Sequence, residues 1–232
     1  MRTRQLLPVL LTAGLLISGC SGSSDTTDGG DTAELADRLA AAKTTIDQAE
    51  TISIDLSTKS LPDGITGLLS AEGQGNHSPA FTGDVTVVTG GASLGAEVIA
   101  VDGVVYAKTG FLPDFTRMDP AQLKAPDPAS LMAADDGITQ ILVETDDLAD
   151  GGQSRDGKDV LTTITGTLPG SAVSKIIPSA DADGTFAVKY RLDDDDELRD
   201  ATLTGVFYPG GGKVTYTVAL ATSDTPVTIE AP

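Results

Sequence analysis

The chain has 232 residues, a formal net charge of −19 at pH 7, one cysteine and no tryptophan. The acidic excess repels phosphate groups, which argues against nucleic acid as a partner. A single cysteine excludes an internal disulfide, and because only 4% of the residues are aromatic, the core of this 40% apolar chain must be largely aliphatic.

The N-terminal residues have the pattern of a lipoprotein export signal. Two arginines precede an apolar run over residues 6–17, which is shorter than the roughly 20 residues that span a bilayer. The run leads to Gly19-Cys20, and a cysteine directly after a cleavage point is the acceptor of lipoprotein acyl chains, two of which anchor stably. We therefore expect residues 1–19 to be a signal peptide and Cys20 to hold the protein on the extracytoplasmic side of the cell membrane. The alternative is an incidental cysteine in an ordinary secretory signal.

A flexible tether and the first part of a folded domain follow. Residues 20–31 are dominated by Gly, Ser, Thr and Asp and predict the tether, which leaves residues 32–232 for the domain. Apolar residues at spacings of three and four predict a helix from residue 32 to about residue 50. The period then changes to two, which is typical of strands. The predicted strands cover residues 52–57, 65–72, 81–88, 94–101 and 104–108, and Asp102-Gly103 is a hairpin signal between the last two.

Prolines divide the middle of the chain into short segments. Asp119-Pro120 and Asp127-Pro128 each place an N-capping residue before a proline at the first helical position. Short helices are predicted at residues 120–124, 128–134, 138–144 and 170–177. Strands return at residues 160–167, 185–192, 198–207, 213–221 and 227–230.

Consecutive strands with hairpin-like connections predict an α+β fold with a single antiparallel sheet. About ten strands tend to curl, and glycines inside strands mark bends or close backbone approach. We therefore expect a strongly curved sheet, half of a barrel, with short helices covering it. Periodicity alone leaves open whether the space beneath the helices is filled or forms an apolar cavity.

No enzyme, metal or cofactor motif is complete. Gly91-Ala92-Ser93-Leu94-Gly95 matches the serine hydrolase pattern, but a strand pattern follows Ser93 and His77, the one histidine, precedes it. A glycine-rich hairpin turn is therefore favoured, and His77 is expected in an exposed loop. Residues 179–184 begin like a calcium loop without its terminal glutamate. The five carboxylates at residues 193–197 predict a solvated loop that protects nearby strand edges.

The order of segments resembles a known family. The segments that carry the resemblance are Cys20 in its signal, Thr82-Gly83-Asp84-Val85, Val101-Asp102-Gly103-Val104-Val105-Tyr106-Ala107, Asp119-Pro120-Ala121-Gln122, and residues 128–143 and 160–177. Over residues 33–230 the chain is similar to the mycobacterial and actinobacterial lipoproteins of the LppX/LprA/LprF/LprG type, and most closely to the LprG-like members.

The resemblance implies a half-barrel sheet with helices on its concave side and an apolar cavity between them. In this family the cavity holds acyl chains of multiply acylated envelope lipids, of the phosphatidylinositol mannoside and lipoglycan type for LprG-like members. The resemblance also implies a major-facilitator efflux pump as a partner. Since no enzyme motif is complete, we expect no catalysis. The chain departs from the family in its heavy acid load and in its Asp193–Asp196 run, whose carboxylates would disfavour an anionic head group nearby.

Three functions follow as hypotheses. The first is a lipid-anchored carrier that moves such lipids from the plasma membrane towards the outer envelope; the second is a non-transporting structural or signalling lipoprotein; the third is a lipid-modifying hydrolase. For the first, strand alternation and the covering helices predict the cavity wall. The predicted lining residues are Val87, Leu94, Val98, Val105, Leu131, Ile138, Ile141, Leu142 and Ile176.

Overall fold

A computed structural model describes residues 28–123 and 125–232. The signal peptide, Cys20 and residues 20–27 of the tether lie outside the described residues. The helices are α1 (Asp28–Gln48), α2 (Gln140–Val143) and α3 (Gly170–Ile176), with 3-10 turns at Pro120–Leu123 and Ser130–Met132. The strands are β1 (Thr51–Thr58), β2 (Gly67–Asn76), β3 (Ala80–Thr89), β4 (Ala92–Val101), β5 (Val104–Thr109), β6 (Thr116–Met118), β7 (Asp146–Asp156), β8 (Asp159–Pro169), β9 (Thr185–Leu192), β10 (Leu198–Gly205) and β11 (Val214–Ser223).

All eleven strands belong to one open antiparallel sheet, which confirms the predicted fold class. The order β6-β5-β4-β3-β2-β1-β11-β10-β9-β8-β7 joins two meanders through the β1–β11 pair, in which Thr51 faces Ser223 and Thr58 faces Tyr216. The β3–β4 turn and the β5–β6 and β10–β11 loops therefore lie at one end of the sheet, which we call the top. The β2–β3, β4–β5 and β9–β10 turns lie at the other end, the bottom.

Local sequence signals explain several elements. Asp102 and Gly103 adopt positive φ angles of 55° and 71°, as the predicted hairpin turn requires. The Asp119 and Asp127 carboxylates accept hydrogen bonds from the backbone N–H groups of Ala121 and Ala129, at 3.0 and 2.9 Å. Asp119 therefore caps the 3-10 turn that follows it, as predicted. Asp127 does not cap Ser130–Met132, because the residue before that turn is Ala129, which has no side-chain cap. Both segments are single 3-10 turns because proline and short length prevent longer helices.

The helix α1 begins at Asp28, four residues earlier than predicted, so the end of the predicted tether is helical. Its apolar stripe is buried and forms part of the core. The members of this stripe are Leu35, Leu39, Ala42, Ile46 and Ala49. Across the core, the Phe207 ring lies edge-on to the rings of Phe186 and Tyr216, with centroids 4.9 and 5.0 Å apart. No helix in the described part of the chain is both long and apolar enough to cross a membrane.

The predictions fail at the sheet edges. The strands β6 and β7 were not predicted, because β6 has three residues and β7 is polar and interrupted by two register shifts. Both are edge strands, and the four aspartates of β7 disfavour pairing with another chain. Residues 227–230 form no strand, because β1 and β11 are already paired on both sides. The Asn76 side chain instead donates to the Val227 carbonyl oxygen at 3.1 Å.

The acidic run at residues 193–197 is the β9–β10 turn, not an edge-protecting loop. The Asp193 carboxylate accepts hydrogen bonds from the backbone N–H groups of Asp195 and Glu197, and it also pairs with Arg199 at 3.0 Å. Arg38 of α1 reaches Asp196 at 2.5 Å and the Asp193 carbonyl oxygen at 3.0 Å. Two of the five carboxylates therefore build the turn and attach it to α1.

Candidate functional site

An apolar cavity of about 310 Å³ lies between the concave face of the sheet and the segments that cover it. Its wall combines side chains from β1 to β5, β10 and β11 with others from the proline-rich segment and α3. The lining residues are Ile54, Leu56, Thr66, Gly67, Leu68, Ala71, Phe81, Val85, Val87, Thr89, Leu94, Val98, Val105, Met118, Pro120, Leu123, Ala125, Pro126, Pro128, Leu131, Met132, Ile138, Ile141, Val173, Ile176, Ile177, Ser179, Leu203, Phe207, Tyr208, Tyr216 and Val218. Within residues 28–123 and 125–232, no charged side chain lines this cavity.

Eight of the nine predicted lining residues lie in this wall. Strand alternation correctly places Val87, Leu94, Val98 and Val105 on the concave face, and the covering segments contribute Leu131, Ile138, Ile141 and Ile176. Leu142 does not line the cavity; it is buried in the core. Neighbouring side chains on a helix point about 100° apart, so a helix that directs Ile141 into the cavity turns Leu142 away from it. That the eight residues bind lipid stays a prediction.

The cavity opens towards the top of the sheet. Along β3, the wall changes from buried Phe81 through half-buried Val85 and Val87 to exposed Thr89. Along β4, it changes from half-buried Leu94 near the turn to buried Val98. Because exposure increases towards the β3–β4 turn on both strands, ligand would enter from that end.

In one wall of the cavity, two tyrosines that were not predicted form hydrogen bonds with each other and with the backbone of Leu68. The Leu68 N–H donates to the Tyr208 hydroxyl oxygen at 3.0 Å, the two tyrosine hydroxyls are 2.7 Å apart, and the Tyr216 hydroxyl donates to the Leu68 carbonyl oxygen. Tyr208 must therefore donate to Tyr216, which completes a ring of three hydrogen bonds. Burial raises the pKa of Tyr216, and the bond with Tyr208 raises it further. The ring offers a ligand no spare donor, so this wall suits hydrocarbon.

Close packing holds this ring in place. A side chain at Gly67 would overlap the Tyr208 ring, and the pairing between β2 and β3 shifts register between Leu68 and Ser70. Tyr216 lies on β11, whereas Tyr208 lies in the loop after β10. Their convergence on Leu68 therefore depends on the sheet register and on the bulge.

Hydrogen bonds near the bottom of the sheet hold α1 and the segment around residues 132–134, which covers the cavity, together. The ring nitrogens of His77 lie 2.6 Å from the Met132 carbonyl oxygen and 3.0 Å from the Ile46 carbonyl oxygen. His77 is therefore a half-buried clamp between α1 and the wall, not an exposed loop histidine. Lys43 adds a hydrogen bond to the Ala134 carbonyl oxygen at 3.0 Å, and it pairs with Asp47 one turn along α1.

The hydrolase pattern has no matching geometry around Ser93. Ser93 is the second residue of β4 and is exposed, whereas the pattern places its serine between a strand and a helix. His77 lies at the opposite end of β3 from Ser93, and carbonyl oxygens occupy both of its ring nitrogens. Within residues 28–123 and 125–232, no three His, Cys, Asp or Glu side chains are grouped to hold a metal ion.

The acidic turn does not face the opening of the cavity. It lies at the bottom of the sheet, and Arg38 and Arg199 pair with two of its carboxylates. An anionic head group at the opening would therefore sit at the other end of the strands from these carboxylates. A polar cleft of about 320 Å³ also lies at the bottom, between Glu50, His77 and Val227.

Comparisons with known proteins agree with this architecture. The chain is 28% identical over 215 residues to the lipoarabinomannan carrier protein LprG of Mycolicibacterium smegmatis, covering 86% of this chain and 85% of that protein. The crystal structure of LprF from Mycobacterium bovis superposes with a TM-score of 0.68 at 15% identity, over 86% of this chain and 97% of the other. The structure of LppX from Mycobacterium tuberculosis gives 0.59 at 18% identity, over 85% and 99%.

The LprF and LppX similarities show the fold, because both identities are low. The family assignment rests on sequence over the whole domain. The sequence model of the LppX_LprAFG lipoproteins matches residues 31–229, which includes every described helix and strand except the first three residues of α1. The chain therefore belongs to the LppX_LprAFG lipoprotein family.

Proposed function

We propose that this protein is an exported, lipid-anchored carrier that shields the acyl chains of envelope lipids in its cavity without catalysing a reaction on them. The observation that carries this proposal is a cavity with an apolar wall under a curved sheet, open at one end and lined by no charged side chain among the residues that the structure describes. Each acyl CH₂ transferred from water to such a site contributes about 0.8 kcal/mol. A dry cavity can therefore replace the bilayer during transfer.

The cargo that we propose is a multiply acylated glycolipid of the phosphatidylinositol mannoside or lipoglycan type. The name of the similar M. smegmatis protein, a lipoarabinomannan carrier, supports this class. The geometry is consistent with an anionic head group, because the head would remain outside at the top while the acidic turn lies at the bottom. The acyl chains would lie along β3 and β4, where the wall deepens from Leu94 to Val98.

The direction of transport that we propose is from the plasma membrane towards the outer envelope. A domain held by Cys20 through a short tether reaches only a few tens of ångströms from its anchor. It would therefore pass cargo to a partner, and the family resemblance favours an efflux pump of the major facilitator class. Loss of glycolipid from the cell surface on deletion of this protein, with its accumulation in the plasma membrane, tests the direction.

A pair of tryptophan variants tests the carrier function. Leu94→Trp places a large ring in the cavity wall, whereas Ser93→Trp places the same ring on the exposed face of the same strand. With the lipidated full chain and a fluorescent phosphatidylinositol mannoside, we expect Leu94→Trp to slow transfer between vesicles about tenfold or more, and Ser93→Trp to leave it unchanged. Equal transfer by folded Leu94→Trp protein would contradict the proposal. Loss of function in Ser93→Trp alone would favour the hydrolase hypothesis.

A further inference from the structure

The β5–β6 loop presents an apolar tip to solvent. Phe111 is 87% exposed and Leu112 is 44% exposed, so two of the four large apolar side chains that are exposed in the described residues are neighbours here. The tip is shaped by its own contacts. The Leu112 N–H donates to the Thr109 carbonyl oxygen at 3.0 Å, and Lys108 Nζ lies 5.6 Å from the centroid of the Phe115 ring. An ordered loop that leaves a phenylalanine in water has a cost that a binding partner would relieve.

The register of the sheet places this tip at the open end of the cavity. Thr109 is paired with Ala96 of β4, and the chain leaves β5 in the direction of the β3–β4 turn. The cavity wall is most exposed at that same turn, through Thr89 and Leu94. The tip therefore stands at the end of the sheet from which a ligand would enter.

The charge of the tip differs from that of the rest of the chain. Residues 108–118 contain Lys108 and Arg117 against the single acid Asp114, and Lys108 pairs with Glu97 of β4 at 3.1 Å, so this segment is close to neutral in a chain whose net charge is −19. Arg117 lies 5.9 Å from the centroid of the Tyr106 ring, beside the tip. An anionic lipid surface repels most of this protein but not this segment. Aromatic and leucine side chains with nearby cations are the groups that bind the interfacial region of a bilayer.

We infer that residues 110–115, the β5–β6 tip, insert into the surface of a lipid bilayer and set the open end of the cavity against it. The inference rests on the proposed carrier function for its purpose, because docking would let acyl chains enter the cavity without crossing water. The inference goes beyond that function, because a cavity can hold acyl chains without a membrane-binding surface beside it. The partner is a membrane containing anionic phospholipid.

The absence of tryptophan gives a direct test. Phe111→Trp creates one fluorophore at the tip, and Thr222→Trp creates one on an exposed strand position at the bottom. Both variants are prepared as the lipidated full chain in vesicles of phosphatidylglycerol and phosphatidylcholine with brominated acyl chains, which quench tryptophan within the bilayer. We expect a blue-shifted, quenched emission from the tip and an unshifted, unquenched emission from the bottom. Equal quenching of both, or of neither, overturns the inference.

A second variant measures the consequence for loading. Phe111→Asp keeps every cavity residue and should lower the rate of glycolipid uptake from vesicles about tenfold, with the amount bound at equilibrium unchanged. An unchanged uptake rate also overturns the inference. The two proposals fail separately: a quenched tip on a protein that binds no lipid contradicts the carrier function, whereas bound lipid with an unquenched tip contradicts the docking surface.

Discussion

Replacing Tyr216 by phenylalanine removes two of the three hydrogen bonds in the ring formed by Tyr208, Tyr216 and Leu68. Replacing Tyr208 by phenylalanine also removes two, and the double variant removes all three. A typical hydrogen bond contributes about 1 kcal/mol net, so each single variant should lower the free energy of unfolding by about 2 kcal/mol and the double variant by about 3 kcal/mol. The two single effects therefore exceed the double effect by about 1 kcal/mol.

The pH dependence supplies an independent check on Tyr216. Because burial and the bond with Tyr208 raise its pKa in the folded protein, the unfolded chain loses this proton first, near the ordinary pKa of about 10. Above that pH the unfolded state binds fewer protons, so the stability of the natural protein falls by about 1.4 kcal/mol per pH unit through this group. Tyr216→Phe lacks this loss. Its deficit should therefore shrink from about 2 kcal/mol near pH 9 to about 0.6 kcal/mol near pH 11.

Urea denaturation followed by circular dichroism measures these free energies of unfolding. The double-mutant cycle is measured at neutral pH, and the natural protein is compared with Tyr216→Phe at alkaline pH. Strictly additive effects in the cycle would refute the closed ring. A deficit of Tyr216→Phe that stays constant between about pH 9 and about pH 11 would refute the burial of its hydroxyl in the folded protein.

Two further predictions concern packing and anchoring. Gly205→Ala should lower the free energy of unfolding by about 1–3 kcal/mol, because its methyl group would overlap the buried Phe186 ring. Gly95→Ala should change this free energy little, because its methyl group meets nothing within 4 Å. Equal urea midpoints for the two variants would show that the sheet does not pack as described. Cys20→Ala should release the protein from the membrane fraction on cell fractionation, since the acyl chains are lost; full retention at both low and high salt would argue against lipid anchoring at this residue.

The interior of the sheet was predictable because each strand there carries its own alternating pattern. The strand β9 was predicted with its observed ends, and Asp102-Gly103 marked the turn between β4 and β5 because that turn needs positive φ angles. The edge strand β7 has no such pattern, since almost all of its side chains face solvent. Its place is determined by pairing with β8, which a local reading of the sequence does not contain.

The residues that line the cavity were predictable wherever the strand or helix that carries them has a clear apolar face. Alternation placed Val87 and Leu94 on the concave face, whereas Leu142 was assigned wrongly because a helix of four residues has too few positions to define a face. The role of His77 depends on two backbone carbonyl groups far away in sequence. Such contacts arise from tertiary packing and leave no local signal.

The central claim is that the cavity holds acyl chains. Native mass spectrometry of the full exported protein, purified with gentle solvent from its own cells, measures this most directly because bound lipid appears as a defined increase in mass. The account predicts one multiply acylated lipid per protein, with its bound fraction strongly reduced in Leu94→Trp and retained in Ser93→Trp. Protein that carries no bound lipid in any preparation, beyond acyl chains attached to the polypeptide itself, would contradict it and would favour a structural or signalling lipoprotein.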